Sequence, residues 1–104
     1  MKIELLFIEG CPNYGPTIER IREALTSLGR ADEIRSIEVL SPADAEALHF
    51  VGSPSVRVNG VDIELWAHTA QNFGLECRTY LDGSRLGGVP PLDLICQALR
   101  SQQE

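Results

Sequence analysis

The sequence predicts a single α/β domain, residues 1–104, with the element order β-α-β-α-β-β-α and a four-stranded mixed sheet. Residues 2–8 are apolar on both alternating faces, which is typical of a strand covered by helices on both sides of a sheet. Segments with helical periodicity then alternate with strand patterns. The pair Asn59-Gly60 joins two alternating runs and is the preferred sequence of a two-residue hairpin turn. These observations favour parallel strands joined by helices, extended by one antiparallel hairpin.

The first helix is predicted over residues 16–29, after the buried first strand. Its apolar residues form one stripe with charged residues opposite, and Gly29 is a natural stop signal. The stripe consists of Ile18, Ile21, Leu25 and Leu28. This pattern is that of a helix packed against the sheet by one face.

A second strand and a second helix follow directly. Residues 33–40 have a strand pattern, and residues 41–48 begin with Ser41, a favourable N-cap, and Pro42 at the first helical position. A right-handed crossover from the first strand to the second makes these two strands parallel neighbours.

Residues 55–65 form the predicted hairpin. A type I′ turn at Asn59-Gly60 sets a register in which the apolar residues share one face of the hairpin and an opposite-charge pair shares the other. The pairs are Val58 with Val61, Arg57 with Asp62 and Val56 with Ile63. The hairpin is expected on the other side of the first strand, which becomes central.

The rest of the chain divides into an insert and a final helix. Residues 66–88 have no regular pattern and follow a strand that returns to the end of the sheet where the first helix starts. Residues 89–104 then carry a helical apolar stripe that frays into polar residues. The stripe consists of Leu92, Ile95, Cys96 and Leu99, so Cys96 is expected in the core.

Charge and hydropathy exclude several classes of function. The net charge is -6, from 15 acidic and 9 basic residues, and such a surface repels nucleic acids and anionic membranes. The apolar run at the N-terminus is far shorter than the ~20 residues that span a bilayer. We therefore expect a cytoplasmic protein that binds no nucleic acid and no membrane.

The three cysteines, Cys11, Cys77 and Cys96, do not form a recognisable framework. Their spacing lacks the close pairs of a zinc site, and we expect no cofactor and no bound metal. Cys11 lies where a strand passes into a helix, and the unpaired N–H groups of a helix N-terminus favour a thiolate. Because Pro16 would break a helix that began at Pro12, either the helix kinks or residues 12–15 form a separate turn.

The segments "GCPNY" and "GSPSVRVNG" together resemble the thioredoxin-like superfamily, and the resemblance covers nearly the whole chain in element order. More narrowly, the chain looks like a group of small bacterial thioredoxin- or glutaredoxin-like proteins with a C-P-N-Y motif, some of which carry selenocysteine at the position of Cys11. The resemblance implies that Cys11 is the nucleophile. It also implies that Pro54 is cis and that the backbone around Ser53 and Pro54 docks an extended thiol substrate.

Further candidate residues surround this site. Pro12 and Tyr14 belong to the motif itself, and Tyr14 is expected to shield or hydrogen-bond the region of Cys11. Tyr14 also stands where the superfamily has its second cysteine, so Cys11 lacks a local partner. The insert brings Cys77 to the same edge of the sheet, which makes it the candidate resolving cysteine, and Arg78 beside it could stabilise a thiolate. An ordinary cysteine in a short strand is the alternative interpretation of Cys77.

Three functions remain open at this stage. The first is a thiol oxidoreductase, acting on a disulfide or a peroxide, in which Cys11 reacts and Cys77 resolves the product. The second is a soft-metal protein that holds mercury or copper between the two thiolates. The third is a non-catalytic adaptor that docks peptides beside Pro54. The substrate is accordingly a thiol or disulfide, small or protein-borne, and the oligomeric state is not determined by the sequence.

Overall fold

A computed structural model, which describes residues 1–102, has the predicted α/β architecture with a four-stranded mixed sheet. The order in the sheet is β2-β1-β3-β4. The central strand β1 (Ile3–Phe7) pairs in parallel with β2 (Ile34–Glu38) and antiparallel with β3 (Ser55–Val58). The short strand β4 (Val61–Asp62) completes the hairpin with β3. The central position of β1 agrees with the apolar character of both its faces.

Helices cover both faces of the sheet. Helices α1 (Tyr14–Ser27) and α3 (Leu92–Ser101) pack on one face with the larger core cluster, and α2 (Pro42–Leu48) packs on the other with the smaller one. Cys96 lies in the larger cluster at 7% exposure, as its place on the apolar stripe predicts. The polar residues Gln103 and Glu104, where fraying was expected, lie outside the described residues.

The predicted start of the first helix was wrong by two residues. The helix begins at Tyr14, and the N–H of Thr17 donates to the carbonyl of Asn13 over 3.1 Å. Pro16 therefore falls in the first turn, where its missing N–H removes no helical hydrogen bond. Residues 12 and 13 form a turn, whereas Tyr14 and Gly15 already belong to the helix, so a separate turn over all of residues 12–15 is not what the structure has. At the other end Gly29 has a φ of 68° and ends the helix as expected.

The second helix and the hairpin follow the sequence prediction closely. The hydroxyl of Ser41 accepts a hydrogen bond from the N–H of Asp44 at 3.1 Å, and Pro42 is the first helical residue. Asn59 and Gly60 have φ values of 54° and 81°, which a type I′ turn requires. The strand register also agrees, with Val58 opposite Val61.

The two charged residues of the hairpin are paired in the register as predicted, but their side chains bind elsewhere. Arg57 lies opposite Asp62 in the register, but its guanidinium donates to the carbonyls of Leu48 and His49 at the end of α2. The carboxylate of Asp62 binds Arg78 from the insert instead. Tertiary contacts thus gave both charges partners that lie outside the hairpin.

The insert has more regular structure than the sequence indicated. It contains a 3₁₀-helix at Leu65–Thr69 and a separate hairpin formed by β5 (Tyr80–Asp82) and β6 (Arg85–Gly87). Between them, residues 74–78 run alongside the segment that leads into β3. Within residues 1–102, no helix is long and apolar enough to cross a membrane.

Candidate functional site

Cys11 lies in the turn that joins β1 to α1. Its N–H donates to the carbonyl of Ile8 over 3.2 Å, and its own carbonyl accepts from the N–H of Tyr14 over 3.4 Å. The residue is half-buried and precedes the N-cap, Asn13, by two positions. The thiol therefore lies ahead of the helix and outside its first turn.

The loop ahead of β3 packs directly against the end of β1. The peptide bond between Ser53 and Pro54 is cis, as the resemblance implied. The Ser53 hydroxyl accepts a hydrogen bond from the N–H of Ile8 at 3.1 Å, and Ser53 itself is only 1% exposed. Ile8 therefore contacts Ser53 through its N–H and Cys11 through its carbonyl.

Cys77 pairs with the same loop. It forms an isolated parallel bridge with Ser53, in which the N–H of Ser53 donates to the carbonyl of Glu76 over 2.8 Å. The N–H of Arg78 donates in turn to the carbonyl of Ser53 over 3.0 Å. Residues 76–78, which we call the bridging strand, thus pair with the loop next to the cis-proline, with Cys77 at their centre.

Ser53 connects the segments that carry the two thiols. Cys11 is linked to Ser53 through Ile8, and Cys77 is linked to Ser53 through the strand bridge. Cys11 is half-buried, Cys77 is exposed, and both are free thiols. Each cysteine is thus one hydrogen-bonded neighbour or one bridge away from the same buried residue.

Arg78 fixes the strand that carries Cys77. Its guanidinium donates to both carboxylate oxygens of Asp62 at 2.8 Å, to Glu64 at 2.9 Å and to the Ser55 hydroxyl at 3.0 Å. Burial by itself lowers the pKa of Arg78, but the hydrogen bonds and charge of Asp62 and Glu64 raise that pKa above its usual range. At 4% exposure the residue is a buried cation with two acidic partners. We refer to Arg78, Asp62 and Glu64 as the arginine cluster.

Aromatic residues enclose the arginine cluster. The guanidinium carbon of Arg78 lies 4.9 Å from the ring centre of Trp66 and 4.6 Å from that of Tyr80. Tyr80 is buried, and its hydroxyl donates to the carbonyl of Pro54. Burial raises the pKa of Tyr80 above its usual range, so this hydroxyl remains a donor at neutral pH. The insert is therefore fastened to the loop at Ser53 and again at Pro54.

The structure also describes the surroundings of Pro12, Tyr14 and Arg78, the other residues predicted for the site. Pro12 is exposed in the turn after Cys11. The ring of Tyr14 packs at 4.4 Å from that of Phe7, and its hydroxyl is 2.7 Å from the hydroxyl of Ser36 on β2. The roles predicted for Pro12 and Tyr14 in substrate binding stay predictions. The guanidinium of Arg78 is bound to carboxylates, so its predicted action on a thiolate has no support from these contacts.

No resident metal centre is indicated by side-chain grouping. In the part of the chain that the structure describes, there is no group of three or more His, Cys, Asp or Glu side chains that could hold a metal ion. Any metal held here by protein sulfur would have to accept the low coordination that two thiolates provide.

The chain matches none of the protein-family models, curated proteins or solved structures with which it was compared. The interpretation of the site therefore depends on its geometry and on the sequence motifs.

Sequence reasoning missed the arginine cluster and Gly52. Asp62 was assigned to Arg57 because strand register is a local signal, whereas the contact with Arg78 joins residues from different elements. Gly52 has a φ of 134°, and a Cβ there would lie 2.8 Å from the Cβ of Arg78. The glycine in "GSPS" was the available signal, since close approach of two backbones often requires glycine.

Proposed function

We propose that this protein is a thioredoxin-like thiol-disulfide oxidoreductase of the cytoplasm, in which Cys11 is the nucleophile and Cys77 the resolving cysteine. The observation that carries the proposal is that Ser53 contacts both cysteine segments. It forms a strand bridge with Cys77, and its hydroxyl accepts from the N–H of Ile8, whose carbonyl binds the N–H of Cys11. The sheet order and the cis bond before β3 agree with a thioredoxin-like arrangement.

The first chemical step is an exchange at Cys11. The Cys11 thiolate attacks one sulfur of a substrate disulfide, a new sulfur–sulfur bond forms, and the other sulfur leaves as a thiolate that takes up a proton. The protein then carries half of the substrate as a mixed disulfide. At this stage the disulfide joins Cys11 to one half of the substrate, and the other half has been released as a thiol.

The second step uses Cys77. Its thiolate attacks the Cys11 sulfur, the Cys11–Cys77 disulfide forms, and the second half of the substrate leaves as a thiol. Two electrons have then passed from the protein dithiol to the substrate disulfide. A dithiol reductant from outside must return two electrons before the next cycle.

Peptide mapping tests this assignment. The reduced protein is treated with a small disulfide, and free thiols are alkylated before and after reduction and identified by mass spectrometry. The expected result is a reducible link between Cys11 and Cys77. In the Cys77→Ser variant, the mixed disulfide at Cys11 should accumulate, because no second thiol displaces it.

Cys96→Ala is the matched control, since Cys96 belongs to the buried core on α3 and should not enter the link. Oxidation of Cys11 with Cys77 still free for alkylation would remove the resolving role. Retention of Hg(II) that requires both thiols, without turnover of any disulfide, would identify a soft-metal protein instead.

A further inference from the structure

We propose that the substrate of this site is a low-molecular-weight disulfide, because the strand of residues 76–78 occupies the backbone groups that an extended peptide would need. This inference rests on the proposed function and deepens it by naming the substrate class. It follows from the hydrogen bonds of Ser53 and from the way the strand is held.

An extended peptide binds a sheet edge through alternating backbone hydrogen bonds. In the loop before β3, Ser53 has one N–H and one carbonyl that could take part in such bonds. The N–H donates to Glu76 and the carbonyl accepts from Arg78, both within the same chain. The insert thus takes the place of a docked peptide.

The strand is held by more than these two bonds. Arg78 is bound to Asp62, Glu64 and Ser55, and the N–H of Gly74 donates to the carbonyl of Phe50 over 3.3 Å. Breaking the contacts of Arg78 would leave buried charges without partners, which is costly. The strand is therefore held firmly against the loop before β3.

Gly52 shows how closely the strand approaches. The space between Gly52 and Arg78 cannot take even a Cβ without a shift, because that atom would lie 2.8 Å from the Cβ of Arg78. A second peptide strand has no room between these backbones. A small disulfide needs only to reach the Cys11 sulfur from solvent, and Cys11 is half-buried at the surface turn.

Charge narrows the choice of probe. Glu9 and Glu76 are exposed and lie close in sequence to Cys11 and Cys77, and the whole chain has a net charge of -6. Anionic disulfides would be repelled, so a neutral probe separates size from charge. Bis(2-hydroxyethyl) disulfide is a neutral small probe, and a disulfide-linked dimer of an uncharged octapeptide with one cysteine is its extended counterpart.

The experiment measures the rate at which each probe consumes the Cys11 thiol of the reduced protein. The same rates with N-acetylcysteine correct for intrinsic reactivity. We expect the peptide-to-small ratio of the protein to be equal to or lower than that of the free thiol, because the peptide gains no backbone bonds at the protein. A ratio higher for the protein than for the free thiol would overturn the inference.

A variant of the arginine cluster tests whether the strand of residues 76–78 is what prevents the peptide probe from docking. Asp62→Asn removes one charge that holds Arg78, so we expect the peptide rate to rise several-fold while the small-probe rate at Cys11 changes less than twofold. Asp82→Asn makes the same charge change in the exposed β5–β6 hairpin and should alter neither rate. If Asp62→Asn folds as judged by circular dichroism and leaves the peptide rate unchanged, the strand is not the barrier.

Hydrogen exchange provides a test without a substrate. In the reduced protein, the amides of Ser53 and Arg78 should be protected, because both donate across the bridge. Exchange at unprotected rates would mean that the edge is open, and the inference would fall. Protected amides together with no Cys11–Cys77 link under either probe would remove the proposed function while leaving the closed edge intact.

Discussion

At the scale of single residues, the surroundings of Cys11 and Cys77 depend on a residue that is remote from both in sequence. Ser53 joins both cysteine segments through its hydroxyl and its backbone, although neither segment is near it in the chain. One buried serine therefore connects the segments that carry Cys11 and Cys77. The motif "GCPNY" predicts the reactive turn but gives no information on how the second thiol is oriented.

Gly52→Ala tests the close approach at this scale. We expect a loss of about 3 kcal/mol in the free energy of unfolding, from both the positive φ and the contact with Arg78. Gly83→Ala is the matched control, because Gly83 has a φ of 65° and an added Cβ would meet no atom within 4 Å. That variant should lose only about 1 kcal/mol. Equal losses in urea denaturation would show that the Arg78 contact is unimportant.

At the scale of elements, local signals determine the helix ends and the turns. The N-cap of α2, the glycine at the end of α1 and the Asn59-Gly60 turn all have the conformation that their sequences predict. Each depends on residues only a few positions apart. The start of α1 was wrong because it depends on whether Pro16 is in the first turn, and the periodic pattern alone does not determine this.

Ser41→Ala tests the cap of α2. The substitution removes the hydroxyl that accepts from the N–H of Asp44, and we expect a loss of about 1 kcal/mol in the free energy of unfolding. Ser41→Asp supplies another acceptor and should restore most of the stability. The measurement is chemical denaturation at neutral pH, and an alanine variant as stable as the parent would contradict the role of the cap.

At the scale of the whole molecule, one ion pair couples stability to pH. Hydrogen bonds from Arg30 lower the pKa of Asp32 to about 2, below its usual range. A carboxyl with a lowered pKa contributes stability above its unfolded pKa of about 3.9 and loses it as the pH falls toward the folded value. The contribution is therefore complete at neutral pH and disappears between about pH 4 and pH 2.

The prediction is that Asp32→Asn is less stable than the parent at pH 6 and that this difference shrinks as the pH falls to 2. Unfolding free energies of both proteins across this range measure it. Asp82→Asn, at an exposed position of the β5–β6 hairpin, serves as a carboxylate control. A difference that stays constant with pH would show that the charge of Asp32 does not contribute.

The sequence by itself determined the order of the elements outside the insert, the central place of β1, the hairpin register and the core position of Cys96. These features depend on periodicity and on turn residues, which act over a few positions. Only the tertiary structure decided that the insert forms a strand on Ser53, that Arg78 binds Asp62 and Glu64, and that Arg57 binds the end of α2. Such contacts join residues far apart in the chain, and their partners are selected by burial, which requires each charged group to find a counter-charge or a carbonyl.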